Sequence, residues 1–125
     1  MDRRGTDDGI VTPHEGASTV TAYMGTTGQD ASADGFFSTA LGTFRVFSMN
    51  KDLAETPYAD GVYLTDWVRF DPERSNGFHS PARDASGNVH PTQKPTTLGC
   101  VRLDAEAAQA VFDFSFIGMR VEIHD

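Results

Sequence analysis

Polar and apolar residues alternate with a period of two in several short stretches, and a single stretch late in the chain keeps the 3.6-residue period of a helix. Ser18 to Met24 reads Ser-Thr-Val-Thr-Ala-Tyr-Met, alternating and rich in β-formers, which predicts a half-buried strand broken by the Gly25 to Gly28 cluster. Residues 28–35 are a loop by composition. Gly42 to Phe47 starts a second strand, with Phe44 and either Val46 or its neighbours turned inward, and residues 50–57 interrupt it. Gly61 to Phe70 is the most aromatic and β-branched stretch and predicts one or two strands. These stop at Asp71-Pro72, where proline denies the ladder a donor. A short strand is expected at Gly77-Phe78-His79, followed by a long loop from Ser80 to Thr96 that contains three prolines. Structureless loops longer than about 12 to 15 residues are commonly binding loops or lids.

Asp104 is placed to cap a helix ending near Phe114, with Glu106 in its first turn and Ala108, Val111 and Phe112 on one stripe. After Gly118, Met119 to Ile123 alternates and closes the chain as a strand. Many short strands and one late α-helix predict a mainly β domain, a sandwich or barrel-like fold. Residues 1–9, polar and charged, read as a flexible N-terminal arm, and residues 10–125 as one domain, since 125 residues leave room for a single core.

Eighteen acidic against ten basic side chains give a formal charge of −8, which repels a phosphate backbone and argues against nucleic-acid binding. No run of 18 apolar residues is available for membrane insertion, and the first eight residues lack the apolar core of a signal peptide. The single cysteine, Cys100, cannot form an internal disulfide and is therefore either buried filler or chemistry.

Cys100 follows Gly99 at the junction of the Pro-rich loop and a short apolar strand. Glycine admits close backbone approach, and consecutive amides at such a turn can point at one oxygen and stabilise an oxyanion. A thiol is only a few per cent thiolate near neutral pH and needs a base. His79, at the end of a predicted strand, can be held rigidly beside the Cys100 strand. His90 lies nearer in sequence, but in a loop with Pro91 and Pro95 whose mobility would blur its alignment.

His79-Ser80, a spacer, and then Thr97-Leu98-Gly99-Cys100-Val101-Arg102, followed by Asp104-Ala105 and a last strand after Gly118, resemble the L,D-transpeptidase catalytic domains. Gly42-Thr43-Phe44 and Trp67 to Phe70 resemble that family's earlier strands. The resemblance implies a cysteine acyltransferase of the bacterial cell envelope whose partners are peptidoglycan stem peptides, with no cofactor and no metal. Its cysteine attacks the third residue of a stem tetrapeptide, expels the terminal D-Ala and passes the acyl group to an amine. Carried over, Cys100 is the nucleophile and His79 the base. Backbone around His79 or Ser80 orients the ring, and the N–H groups of Gly99 and Cys100 form the oxyanion hole. Arg102 holds a substrate carboxylate, and Thr97, Leu98 and Tyr63 line the substrate side.

Leu98 stands where the family usually has histidine, which bears on donor specificity or rate. Three other readings share the residues: a hydrolase of the same fold using water as acceptor, a wall-binding module that has lost turnover, and a metal site built from His79, His90, Cys100 and His124. The last lacks compact Cys or His spacing.

Overall fold

The computed structural model describes residues 8–12, 14–15, 18–19, 23–26, 39–56, 60–93, 97 and 100–124. Among them are twelve short strands and one helix. In chain order these are β1 (Asp8–Val11), β2 (His14–Glu15), β3 (Ser18–Thr19), β4 (Tyr23–Thr26), β5 (Gly42–Arg45), β6 (Ser48–Asn50), β7 (Ala54–Glu55), β8 (Tyr63–Leu64), β9 (Trp67–Asp71), β10 (Asn76–His79), β11 (Val101–Arg102), α1 (Ala105–Phe114) and β12 (Arg120–Ile123). Six of them form a mixed sheet in the order β1-β4-β11-β10-β9-β6, while β5 with β12, β2 with β3 and β7 with β8 form two-stranded ribbons. Among the described strands, only β10 and β11 pair in parallel.

The central strands divide by alternation, since successive side chains leave opposite faces of a strand. Val68 and Phe70 of β9, Phe78 of β10 and Val101 of β11 belong to one buried cluster with Val46, Leu103, Val121 and Ile123. Phe70 packs tilted against Phe78 at 5.1 Å and against Phe44 at 5.4 Å, so β5 covers this face from across the core. Burying a side chain such as Phe70 stabilises the fold by roughly 1.5 to 3 kcal/mol.

Helix α1 closes the same face with Ala107, Ala108 and Val111. Asp104 starts it, accepting the Ala107 N–H at 2.8 Å, and Ser115 ends it in an extended conformation while its N–H still reaches the carbonyls of Val111 and Phe112. Phe112 lies at the edge of the stripe, with Lys51 Nζ 5.0 Å from its ring centre.

Several local expectations give way to tertiary pairing. Gly25 does not end its strand: it pairs with Gly9 in the β1–β4 ladder. Residues 50–57 carry a second short ribbon, because Ala54 and Glu55 find partners in Leu64 and Tyr63. The strand expected over Ser18 to Met24 appears as β3 and β4, with residues 20–22 between them outside the described residues. Of the arm expected over residues 1–9, Asp8 and Gly9 are rungs of β1 and the remainder lies outside the described residues, as does the 28–35 loop.

Candidate active site

The face of the sheet opposite the core carries the polar residues. Arg69 pairs with Gly77 and with Ser48, Trp67 with Asn50, and His79 with Arg102, so these side chains share a face that Val68, Phe70, Phe78 and Val101 avoid. One step back from the Phe78–Val101 rung puts Cys100 beside Gly77 on the same face. The parallel ladder thus brings the candidate nucleophile and base onto neighbouring strands, and the Leu103 N–H to His79 carbonyl bond of 2.9 Å locks the end of that ladder.

His79 is fixed at both ring and backbone. Its Nδ1 lies 2.6 Å from the Ser80 carbonyl oxygen, and Trp67 meets the ring edge-on with centres 6.5 Å apart. A carbonyl only accepts, so Nδ1 carries the hydrogen and Nε2 is left with its lone pair. Burial pushes the imidazole down to about 4; the Ser80 carbonyl opposes this and the Arg102 cation reinforces it. At neutral pH the ring is therefore an uncharged base.

The Ser80 hydroxyl has a separate task, accepting from the Thr65 N–H at 2.9 Å and donating to the Pro81 carbonyl at 2.9 Å. These bonds, with the Ser80 N–H to Thr65 carbonyl bond of 3.1 Å, pin the chain where the sheet hands over to the loop.

Cys100 is 4% exposed, and its Sγ lies 3.8 Å from Asn76 Oδ1 and 4.0 Å from the Ser75 carbonyl. The thiol is therefore turned toward the β9–β10 turn, and His79 is not among its hydrogen-bond partners within the described residues. Burial pushes the thiol up to about 12, against the opposing pull of the Gly77 N–H, Arg69 and Trp67. The turn itself is built by Asp71, whose carboxylate accepts from the N–H groups of Glu73 and Arg74 and pairs with the Arg74 guanidinium at 3.3 Å. Ser75 sits in the left-handed region at φ +58°, which aims its carbonyl at the sulfur. Gly77 follows at a register shift, where a Cβ would stand 2.1 Å from the Val68 carbonyl oxygen.

Thr97 Oγ1 donates to the Cys100 carbonyl and so braces the Cys100 peptide. Arg102 is partly buried, which lowers its pKa, and it faces His79 across the ladder. Tyr63 exchanges backbone bonds with Arg83 at 2.8 and 2.9 Å. Leu98 and Gly99 lie outside the described residues, and with them one half of the expected oxyanion hole. His90 belongs to an ordered turn: its N–H bonds the Ala82 carbonyl, and Gln93 bridges Ala82 and His90. The loop is thus anchored around His90 by bonds to Ala82 and Gln93.

Sequence reasoning missed Asn76 and Arg69. Period-two alternation through Trp67-Val68-Arg69-Phe70 carries the signal for Arg69, because the residues between two core positions must face the other side. No group of three His, Cys, Asp or Glu side chains converges on a metal position among the described residues. A cavity of about 1080 Å³ opens on the core side near Phe78, Val121 and the end of α1, away from Cys100 and His79. Chemistry and not volume locates the candidate site.

Comparison with known proteins agrees with this fold. The YkuD family model, the L,D-transpeptidase catalytic domain, matches residues 12–123. The chain belongs to the L,D-transpeptidase catalytic domain family. Among solved structures, an L,D-transpeptidase from Stackebrandtia nassauensis is similar with a TM-score of 0.68 at 17% identity, over 91% of this chain and 49% of that one. An L,D-transpeptidase from Mycobacterium smegmatis gives 0.70 at 15%, over 99% and 56%. The LD-transpeptidase LdtMt1, solved in complex with imipenem, gives 0.65 at 15%, over 98% and 56%. At these identities the likeness is one of fold. This L,D-transpeptidase-family chain spans about half the length of the structures it matches. No curated protein matches it by sequence.

Membership accounts for the mainly β architecture with its one helix among the described residues. Among the described residues no helix is long and apolar enough to cross a membrane.

Proposed function

We propose that this L,D-transpeptidase-family domain forms a Cys100 acyl-enzyme from a peptidoglycan stem tetrapeptide and transfers it to an amine, cross-linking the wall in the cell envelope. The observation that carries the reading is the His79 Nδ1 contact with the Ser80 carbonyl at 2.6 Å, on the strand beside Cys100. It fixes the tautomer in which Nε2 is the basic nitrogen.

Rotation about the Cys100 Cα–Cβ bond carries Sγ from Asn76 toward Nε2, which takes the thiol proton. The sulfur then attacks the carbonyl of the third stem residue. The scissile C–N bond breaks as the imidazolium returns its proton to the departing D-Ala amine. In the second half an acceptor amine attacks the thioester, His79 takes the amine proton, and the C–S bond breaks to release the thiol, reprotonated from His79. The Gly99 and Cys100 N–H groups receive the oxyanion in both halves. An orienting base of this kind contributes about 100- to 10,000-fold to the rate. Arg102, across the ladder from His79, holds a substrate carboxylate by a forked pair of hydrogen bonds.

The buried thiol, turned from His79 and held neutral, favours one second reading, a wall-binding module without turnover. Intact mass after incubation with imipenem separates the two. A single adduct on the wild-type chain that is absent from Cys100→Ala supports the acyl-enzyme; an unmodified wild-type chain rejects it. Product analysis with and without an amine acceptor then distinguishes transfer from hydrolysis.

A further inference from the structure

We propose that Trp67, Asn76 and Arg69 form a thiolate cradle around Cys100, two buried N–H donors and a stacked guanidinium that hold the sulfur's negative charge once its proton has left for His79. This rests on the reading of Cys100 as nucleophile, and the experiment below keeps the two separable.

The first observation is a pair of orphaned donors. Trp67 is 7% exposed and Asn76 is 1% exposed, and both the indole Nε1 and the amide Nδ2 are buried without a hydrogen-bond partner. A buried donor left unpaired costs about 1 to 3 kcal/mol, so two of them around one sulfur call for a charge state that uses them. The Asn76 amide already touches the thiol, with Oδ1 3.8 Å from Sγ. Turning that amide about its last torsion exchanges Oδ1 for Nδ2 at the same place, so one side chain accepts from the neutral thiol and donates to the thiolate. The indole lies on the same sheet face, and its Nε1–H favours the ionised sulfur.

The second observation is the position of Arg69. Its guanidinium stacks on the Trp67 ring at 4.9 Å and the Phe47 ring at 5.5 Å, and it donates to Ser48 Oγ at 3.2 Å and Ser75 Oγ at 3.3 Å. The ladder places it across Gly77 from Cys100, and position 77 carries no side chain to stand between cation and sulfur. Asp71 is the opposing charge on this face, and its carboxylate is engaged by Arg74 and the turn amides. Among the described residues, Arg102 and His79 are further charged and titratable groups at the site. When the proton passes from Sγ to Nε2, one S–H bond is exchanged for one N–H bond. The resulting negative sulfur then lies between the cradle and the imidazolium.

The test is the rate of iodoacetamide alkylation of Cys100 between pH 7 and 10, followed by intact mass on folded protein. Below the thiol's own ionisation a tenfold slower rate corresponds to one unit of lost acidity. Arg69→Gln and Trp67→Phe are expected to slow alkylation about tenfold, whereas Arg69→Lys, which keeps the charge, stays within about threefold of wild type. All variants should alkylate equally in denaturant. A merely structural role for Arg69 would leave the pH profile unmoved. Alkylation of Arg69→Gln within twofold of wild type at every pH, or Arg69→Lys falling as far as Arg69→Gln, overturns the cradle. Arg69 is only partly buried, so its variants decide the matter even where Trp67→Phe does not fold. Imipenem on the wild-type chain is scored in parallel. An adduct with no Arg69 effect removes the cradle alone, and an Arg69 effect with no adduct removes the nucleophile reading alone.

Discussion

His79 and Arg102 face each other across the parallel β10–β11 ladder, so a permanent cation stands beside an imidazole that burial already keeps uncharged. The pairing suits a base that takes a proton only when a negative sulfur is created alongside it. It also discourages a resting thiolate–imidazolium pair.

Replacing His79 by Ala is expected to slow acylation of Cys100 by imipenem on the order of 100- to 10,000-fold near neutral pH. His90→Ala should stay within about tenfold of wild type, since His90 is tied to Ala82 and Gln93 and the thiol's own partners are Ser75 and Asn76. Time-resolved mass spectrometry on folded variants measures both. An exchange of the two effects would overturn the base assignment.

The Ser80 carbonyl and not its hydroxyl orients His79, so Ser80→Ala should separate stability from chemistry. Loss of the hydroxyl bonds to Thr65 and Pro81 is expected to cost about 1 to 3 kcal/mol in denaturant unfolding. The acylation rate of the folded variant should remain within a few fold of wild type. A hundredfold slower rate with unchanged stability would contradict this.

Stability should fall on both sides of neutrality. Below about pH 6.5 the unfolded chain protonates His79, whereas the folded chain resists until about 4; this contribution is present above 6.5 and lost as pH falls to 4. Above pH 9 the unfolded thiol ionises, whereas the folded one resists until about 12, so its contribution is lost as pH rises through that window. Each group contributes on the order of 3 kcal/mol. Melting temperature against pH should show a shallower acid limb in His79→Gln and a shallower alkaline limb in Cys100→Ala.

Gly77→Ala should be among the most damaging single changes, because the new methyl meets the Val68 carbonyl oxygen at 2.1 Å. Relief requires moving β9 against β10, and a loss of about 3 kcal/mol or more is expected by thermal melt. An unchanged melting temperature would mean that the bulge at Asn76 and Gly77 relaxes freely.

Much of the frame was legible in the chain itself. The helix over residues 105–114 announced its cap and stripe, β12 its alternation, and His79 its place at the end of a strand. What escaped was set by partners distant in sequence: Gly25 is strand only because Gly9 lies opposite, and Ala54 only because Leu64 does. The order of the 80–93 loop was hidden for the same reason, since its bonds run to Tyr63 and between Ala82 and Gln93. Asn76 was invisible because nothing local marks an amide as the group that meets the thiol 24 positions later.

Trp67 is the only tryptophan in the chain, and it sits edge-on to His79 and against Cys100. All of the indole fluorescence of this protein therefore originates within the candidate site. Capping the sulfur, protonating the imidazole or displacing the Arg69 guanidinium each alters the surroundings of that one indole. The domain thus carries an optical gauge of its own chemistry, readable without label or coupled assay, and Cys100→Ala supplies the blank.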